Sequence, residues 1–291
     1  MTVGFRGDDA TWTLLDQVSA IARRVGASLR LVTFAVRKST MYPPRGVSDA
    51  EDMVHVQWQE QARRELTEAI AHLRQSGFAD DQVESQLAAA RSWGGAMDAL
   101  EWGRNDLLVV GSSSSGLLGR VALGSVTDRL VHTAVVPVAI APRGYPATPE
   151  PLTRITAAYG AEADLNGLVA AAAGLAKAWS IPMRIVSFSV RPFSIEPAEN
   201  LVVGQWAQRM EHEVTEQLNK VRQNFAVPDV DVVVGTGRTW RDAVEGVPWE
   251  SGELLALGSG AAGAISHVFL GSAAAKIVRH SSVPVLIMPR Q

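Results

Sequence analysis

Residues 106–125, DLLVVGSSSSGLLGRVALGS, return further along the chain as residues 253–272, ELLALGSGAAGAISHVFLGS. In each, an apolar run passes directly into a segment rich in Gly, Ser or Ala that closes on Gly-Ser. An apolar run of this length, bounded by glycine, predicts a buried strand, and the Gly-Ser junction predicts the start of a helix. The repetition extends outward from this stretch. SLRLVTFAVR (28–37) lines up with PMRIVSFSVR (182–191), and RSWGGAMDALEW (91–102) with RTWRDAVEGVPW (238–249). The spacing between landmarks is longer in the first copy, which places an extra loop in KSTMYPPRGVSDAEDM (38–53), where Pro-Pro and Gly punctuate the chain.

Both copies read as the same succession of elements. A short strand (2–5; 155–159) leads through an amphipathic helix to a second strand rich in Leu, Val and Phe. A longer helix follows, then a third strand (83–89; 230–234), a short helix and a fourth strand (107–110; 254–257). After the glycine segment come a helix (125–132; 272–280) and a last strand, VPVAIAP or VPVLIMP. Alternating β and α elements with unbroken apolar strands predict parallel sheets covered on both faces, hence two tandem doubly wound, Rossmann-like α/β domains. The expected boundaries are 1–143 for the first domain and 151–291 for the second. GYPATPE (144–150) is the linker, on its Pro and Gly content.

Composition narrows the function. The chain has 291 residues, 47% of them hydrophobic, and a net charge of −3 with Lys and Arg interspersed among Asp and Glu, so nucleic acid is not an expected partner. Without cysteine there is no thiol nucleophile, disulfide framework or thiolate metal site. MTVGFRGDDA has no secretory pattern, and the Ala-rich run 168–176 is about half the ~18 residues of a membrane span, so a cytoplasmic protein without a membrane partner is expected.

The glycines admit several readings. Gly258, Gly260 and Gly263 match G-x-G-x-x-G, but no Asp or Glu follows Glu253 to hold a ribose, so this is not a dinucleotide fingerprint. Gly111 and Gly116 have P-loop spacing, yet Leu117-Leu118 stand where Lys and Ser or Thr belong. What remains is a strand end, a Gly-rich loop and a helix N-terminus at the carboxyl edge of a sheet, where backbone N–H groups attract anions. The alternative is that the glycines serve turns while Ser125 and Ser272 cap helices.

The segments Gly111-x-x-Ser114, nine residues, Gly124-Ser125 and Gly258-x-x-Ala261, nine residues, Gly271-Ser272, each followed by a helix and a V-P-V strand, resemble the universal stress protein family. The resemblance covers nearly the whole chain, in the tandem form of actinobacterial members. It implies strand order 3-2-1-4-5 in each five-stranded sheet and a stress-response regulatory protein that binds ATP or a related adenine nucleotide, with Mg²⁺ accompanying it. By position, the nucleotide site would comprise Phe34, Gly111, Ser114, Gly124, Ser125 and Val126 in the first copy. In the second it would comprise Phe188, Gly258, Ala261, Gly271, Ser272 and Ala273. Two departures stand out. The family's second glycine is replaced by Ser114 and Ala261, and its Asp after strand one falls at Arg6 and at Gly160 or Tyr159. Arg6 suits a phosphate or simply a solvated strand end. An interaction protein without nucleotide, and a slow ATPase, are the other functions considered. The resemblance also implies pairing of the last strands, an internal pseudo-dimer, and leaves a homodimer of the full chain open.

Other candidate residues favour structure over chemistry. Trp58 and Trp206, Trp93 and Trp240, and Trp102 and Trp249 recur in both copies and are expected to be buried anchors. The six histidines show no metal-ligand spacing, and no serine hydrolase motif follows a strand. Arg129 and Lys276, one helical turn beyond Ser125 and Ser272, answer either a phosphate or the helix dipole. No catalytic residue is expected.

Overall fold

The structure is a computed structural model that describes residues 1–36, 48–113, 117–146, 152–160, 167–190, 230–259 and 271–289, and positions 208, 209, 211, 212, 215, 216 and 219; for 48–52 it gives the backbone alone. In the first half, β1 (Thr2–Gly4), α1 (Asp9–Val25), β2 (Leu29–Val36), α2 (Ser48–Gln75) and β3 (Val83–Ala90) come first. They are followed by α3 (Trp93–Asp98), β4 (Leu108–Gly111), α4 (Ser125–Thr133) and β5 (Val138–Ala141). The second half repeats the plan with β6 (Arg154–Ala158), α5 (Leu168–Trp179), β7 (Met183–Val190), β8 (Asp231–Gly237), α6 (Trp240–Glu245), β9 (Glu253–Gly258), α7 (Ser272–His280) and β10 (Val285–Met288).

These strands form one ten-stranded sheet in the order β3-β2-β1-β4-β5-β10-β9-β6-β7-β8. Each half runs 3-2-1-4-5 and is parallel throughout. The halves meet where β5 and β10 pair antiparallel, with Val285 opposite Ile140, Leu286 opposite Ala139 and Ile287 opposite Val138. Both last strands are apolar, and pairing them removes two edges that would otherwise template aggregation.

Helices cover both faces, and each hydrophobic layer crosses the seam. On one face α1, α2 and α5 bury Leu14, Leu15, Val18, Leu66, Leu73, Leu168 and Ala172 against the sheet. On the other, α4 and α7 cover Val138, Ile140, Val285 and Ile287 with Leu130, Val131, Ile277 and Val278. Arg120 of the first half also pairs with Glu245 of the second at 2.8 Å.

One expectation about the elements is corrected. α2 begins at Ser48, inside the stretch read as a loop, so SDAEDM belongs to the helix. Its acidic residues suit the positive end of a helix, a signal that the neighbouring Pro-Pro and Gly obscured. The equivalent helix of the second copy, with Trp206, lies largely outside the described residues.

A repeated tie fastens the amino edge of each half. Arg30 donates to the Thr2 hydroxyl at 3.1 Å, the Glu101 carbonyl at 3.1 Å and Asp106 at 3.3 Å, and lies over the Trp102 ring. Arg184 does the same with Thr156 at 3.2 Å, the Pro248 carbonyl at 3.3 Å and Glu253 at 2.6 Å, over Trp249. In the second half the centre of the tie, Arg184, Thr156 and Glu253, is buried. The Glu253 side chain has no exposure and also accepts from Arg154 at 2.9 Å, from the Thr156 hydroxyl and from the Glu250 N–H at 2.9 Å. Burial alone would raise its pKa; the hydrogen bonds from Arg154, Thr156 and Glu250 N–H and the charge of Arg184 outweigh it and hold the carboxyl below its ordinary 4.5.

Glu253→Gln leaves two guanidinium groups short of their counter-charge and should cost about 3–5 kcal/mol of stability in denaturant unfolding. Because the folded carboxyl is the stronger acid, its contribution is complete above the ordinary glutamate range and is lost as pH falls through the depressed folded value. The variant's stability should therefore converge on that of the wild type in acid. Ile140→Ala, at a fully buried seam position, should cost about 2–5 kcal/mol and lower both halves in a single transition, which tryptophan fluorescence and circular dichroism would follow together.

Candidate functional site

At the carboxyl edge of the first half, where β1 stops and β2 and β4 continue, lies a cavity of about 530 Å³. Its floor begins at Gly4, where an added Cβ would come within 3.2 Å of Val110. Phe5 turns inward and packs edge-on against Trp12, and its carbonyl accepts from the Thr33 hydroxyl at 2.8 Å. β2 runs on to Val36 after its pairing with β1 ends at Val32, so Phe34, Ala35 and Val36 line the cavity beyond the end of β1. Phe34 and Trp93 form an aromatic wall, their rings 6.2 Å apart and tilted by 42°.

The glycine segment folds back on the end of β5. Ser112 N–H and hydroxyl both donate to the Ala141 carbonyl, at 3.1 and 2.8 Å, and the same hydroxyl accepts from Ala122 N–H at 3.1 Å. Ser113 N–H donates to the Ala122 carbonyl at 2.8 Å. Gly119 takes up the left-handed conformation, φ +73°, and its N–H reaches the Arg143 carbonyl at 2.8 Å. These bonds bring Gly124 against Ser113, where a Cβ would lie 3.0 Å from the Ser113 Cβ. The Thr127 hydroxyl donates to the Gly111 carbonyl at 3.0 Å, fastening the first turn of α4 to the end of β4.

The helix start corrects the capping expectation. Gly124, not Ser125, is the N-cap of α4, and Gly271 is the N-cap of α7; neither start has a side-chain cap bond. Ser125 and Ser272 are the first helical residues. The leading N–H groups of α4 thus face the cavity without a capping oxygen, a feature suited to an anion.

Of the residues expected in the first site, Phe34, Gly111, Gly124, Ser125 and Val126 line this one cavity, and Ser114 lies outside the described residues. In the second copy Gly258 ends β9, Gly271 precedes α7, and Ser272 and Ala273 open it, while Ala261 lies outside the described residues. Phe188 sits in β7 opposite Gly235, where a Cβ would meet its ring at 2.9 Å. Tyr159 is buried at the end of β6 and Gly160 stands at the position of Arg6, while Glu162 and Asp164, which follow, lie outside the described residues.

Sequence reasoning missed the turn after β1 as a unit. Asp8 caps α1 by accepting from Thr11 N–H at 2.9 Å and from its hydroxyl at 2.8 Å, and it also binds the Arg6 guanidinium. Burial pushes the Asp8 carboxyl up, but the Thr11 hydrogen bonds and Arg6 together hold it below its ordinary 3.8, so it is ionised at neutral pH. Arg6 and Asp8 both line the cavity as a locally neutral pair. The signal was Asp8 standing immediately before an amphipathic run, a helix N-cap pattern.

The tryptophans divide. Trp102 and Trp249 pack against the core but are half-buried rather than buried, their ring N–H groups donating to the Met97 and Val244 carbonyls at 2.9 and 2.7 Å. Trp58 is instead 43% exposed and stacks on His55 at the cavity rim. Met53, Val54 and Val56 are exposed beside it on the same end of α2. Lys276 lies over the Trp240 ring at 5.7 Å, which engages its charge in a cation–π contact and not solely with the helix dipole. Among the described residues no His, Asp or Glu cluster suits a metal, and no helix is long and apolar enough to cross a membrane.

The comparisons agree with this geometry. The profile of the universal stress protein family matches residues 1–142 and 151–289. A universal stress protein of Mycobacterium tuberculosis and one of Mycobacterium bovis are each 36% identical to this chain, with 99% of both chains covered. Among solved structures, a universal stress protein from Archaeoglobus fulgidus superposes with a TM-score of 0.59 at 17% identity, covering 99% of this chain and 96% of that one. A functionally unknown protein from Pseudomonas aeruginosa does so with a TM-score of 0.54 at 12% identity, covering 99% and 92%. At such identities the structures speak for the fold alone. The two profile matches and the full-length relatives carry the assignment: this chain belongs to the universal stress protein family, as two tandem copies of its α/β domain.

Proposed function

We propose that the first copy binds an adenine nucleotide, ATP before ADP or AMP, and that the chain is a stress-response regulatory protein acting in the cytoplasm through this binding. The observation that carries the reading is the single cavity in which the uncapped start of α4 and the Gly111–Gly124 junction face an aromatic wall of Phe34 and Trp93. In this reading the N–H groups of Ser125 and Val126 receive phosphate oxygens, and the base lies along the aromatic wall against the backbone of β2. The close approach of Gly124 to Ser113 provides a backbone cradle that a side chain would fill. Mg²⁺ would neutralise the phosphates, with Arg6 at the rim as a further cation.

The second copy has Gly160 where the first has Arg6, and its Lys276 is engaged with Trp240. We propose that it binds nucleotide more weakly. A role through protein contacts is the second reading, favoured by the exposed Met53, Val54, Val56 and Trp58 on α2 and by Leu117 and Leu118, each about three-quarters exposed, on the glycine loop.

Calorimetry with ATP, ADP and AMP, with and without Mg²⁺, tests the proposal. One equivalent of ATP should bind, with a thermal stabilisation of about 2.7 kcal/mol at a hundredfold excess over Kd. Gly124→Asp, which puts a carboxylate at the phosphate cradle, should abolish binding while the unliganded melting curve moves by only a few degrees. Absence of heat and of a thermal shift at millimolar nucleotide would overturn the reading in favour of a contact role.

A further inference from the structure

The two faces of the β5–β10 seam are filled unequally. On one, Val138, Ile140, Val285 and Ile287 are packed under α4 and α7. On the other, β5 presents only Ala139 and Ala141, with Leu286 opposite Ala139. There α1 rests on β1 and β4, and α5 on β6, β7 and β9, so the two helices flank the seam. Between them is a second cavity, of about 130 Å³. Ala139 and Ala141 form its floor, Leu14 and Val18 of α1 one wall, and Leu254 and Trp179 the other. Tyr145 closes the rim from the linker: its carbonyl accepts from the Gln17 amide and its hydroxyl from Gly252 N–H at 2.9 Å, so one residue straps both halves.

The polar side chains bordering this space already have partners. Glu253 is held by Arg154, Arg184 and Thr156, Gln17 by the Tyr145 carbonyl, and Asp16 by His72 at 2.8 Å. The Met1 ammonium, at the same border, donates to the Ser28 carbonyl at 2.6 Å. The space therefore offers contact area to apolar atoms, and the charged groups around it are already engaged. Its volume is close to the roughly 150 Å³ of an apolar cavity that stays dry and takes up benzene. We infer that the seam cavity is a binding site for one small uncharged aromatic molecule, of benzene to indole size, seated on Ala139 and Ala141 against Trp179. The hydrophobic effect and dispersion supply the affinity, and Trp179 favours a ring over an aliphatic chain by edge or offset stacking. Such a ligand would bridge the two copies and tighten the seam. This inference is independent of nucleotide binding.

The test uses the full chain with benzene, indole and, as a charged control, benzoate, read by saturation-transfer NMR and thermal shift. Benzene and indole should each give a saturable signal and raise Tm, and benzoate should give neither. Ala139→Leu fills the floor and should abolish the response in a chain that still melts cooperatively. If that variant does not fold, Leu152→Ala decides, since Leu152 is a buried residue that also lines the cavity and its truncation enlarges the space. It should raise the preference for indole over benzene several-fold relative to wild type, and an unchanged preference overturns the site. A wild type with no saturable benzene signal, a folded Ala139→Leu variant that responds like wild type, or benzoate binding as well as benzene would also overturn it.

Discussion

The antiparallel pairing of β5 with β10 is the constraint on which the rest of this molecule depends. Each half ends in a short, wholly apolar strand, and neither strand has a neighbour of its own half on its outer side. Left open, these edges would present unpaired backbone and apolar side chains to water. Joined, they make one sheet of ten strands and two hydrophobic layers that run from half to half. Because the halves run in opposite directions, the carboxyl edge of one lies beside the amino edge of the other. That is why Arg120, in the glycine loop of the first half, meets Glu245 of the second, and why Tyr145 reaches Gly252.

This arrangement gives the two edges of each half different tasks. The amino edge is locked by an arginine on a tryptophan, tied to strand one through Thr2 or Thr156 and to the acidic residue four positions after that tryptophan, Asp106 or Glu253. The carboxyl edge is left open, with β1 ending early and the chain turning away through Asp8. A rigid amino edge lets the open one keep a cavity without loss of sheet register. The copies differ at both edges: at the amino edge the second adds Arg154 to a more buried tie, and at the open edge the first has Arg6 where the second has Gly160.

Much of the fold was legible because strands buried on both faces write themselves as apolar runs, and the runs came twice. VPVAIAP and VPVLIMP, the two second strands and the Gly-Ser junctions needed no tertiary context. The start of α2 was hidden by Pro43, Pro44 and Gly46, which punctuate the chain just before acidic residues that favour a helix. Trp58 was misjudged because recurrence with Trp206 was taken for burial, whereas what a helix face packs against is decided by the sheet beneath it. The alternative that made Ser125 a cap placed it one residue too late, since a preference for serine at caps does not fix which residue stands one position outside the helix, and that residue is Gly124. The Arg30 and Arg184 ties were present in the aligned repeats, SLR against PMR with Trp102 against Trp249. Their partners lie 70 or so residues away, a separation that only the folded sheet closes.

The account's central claim is that one edge of one copy, the β4–α4 junction of the first, is the nucleotide site of a chain otherwise organised for rigidity. Hydrogen exchange followed by mass spectrometry, with and without Mg-ATP, tests this most directly because it reads each junction in the same sample. The account expects slowed exchange in peptides covering residues 108–130, with 253–280 changing little. Equal protection of both junctions, protection of the second alone, or none at either would contradict it.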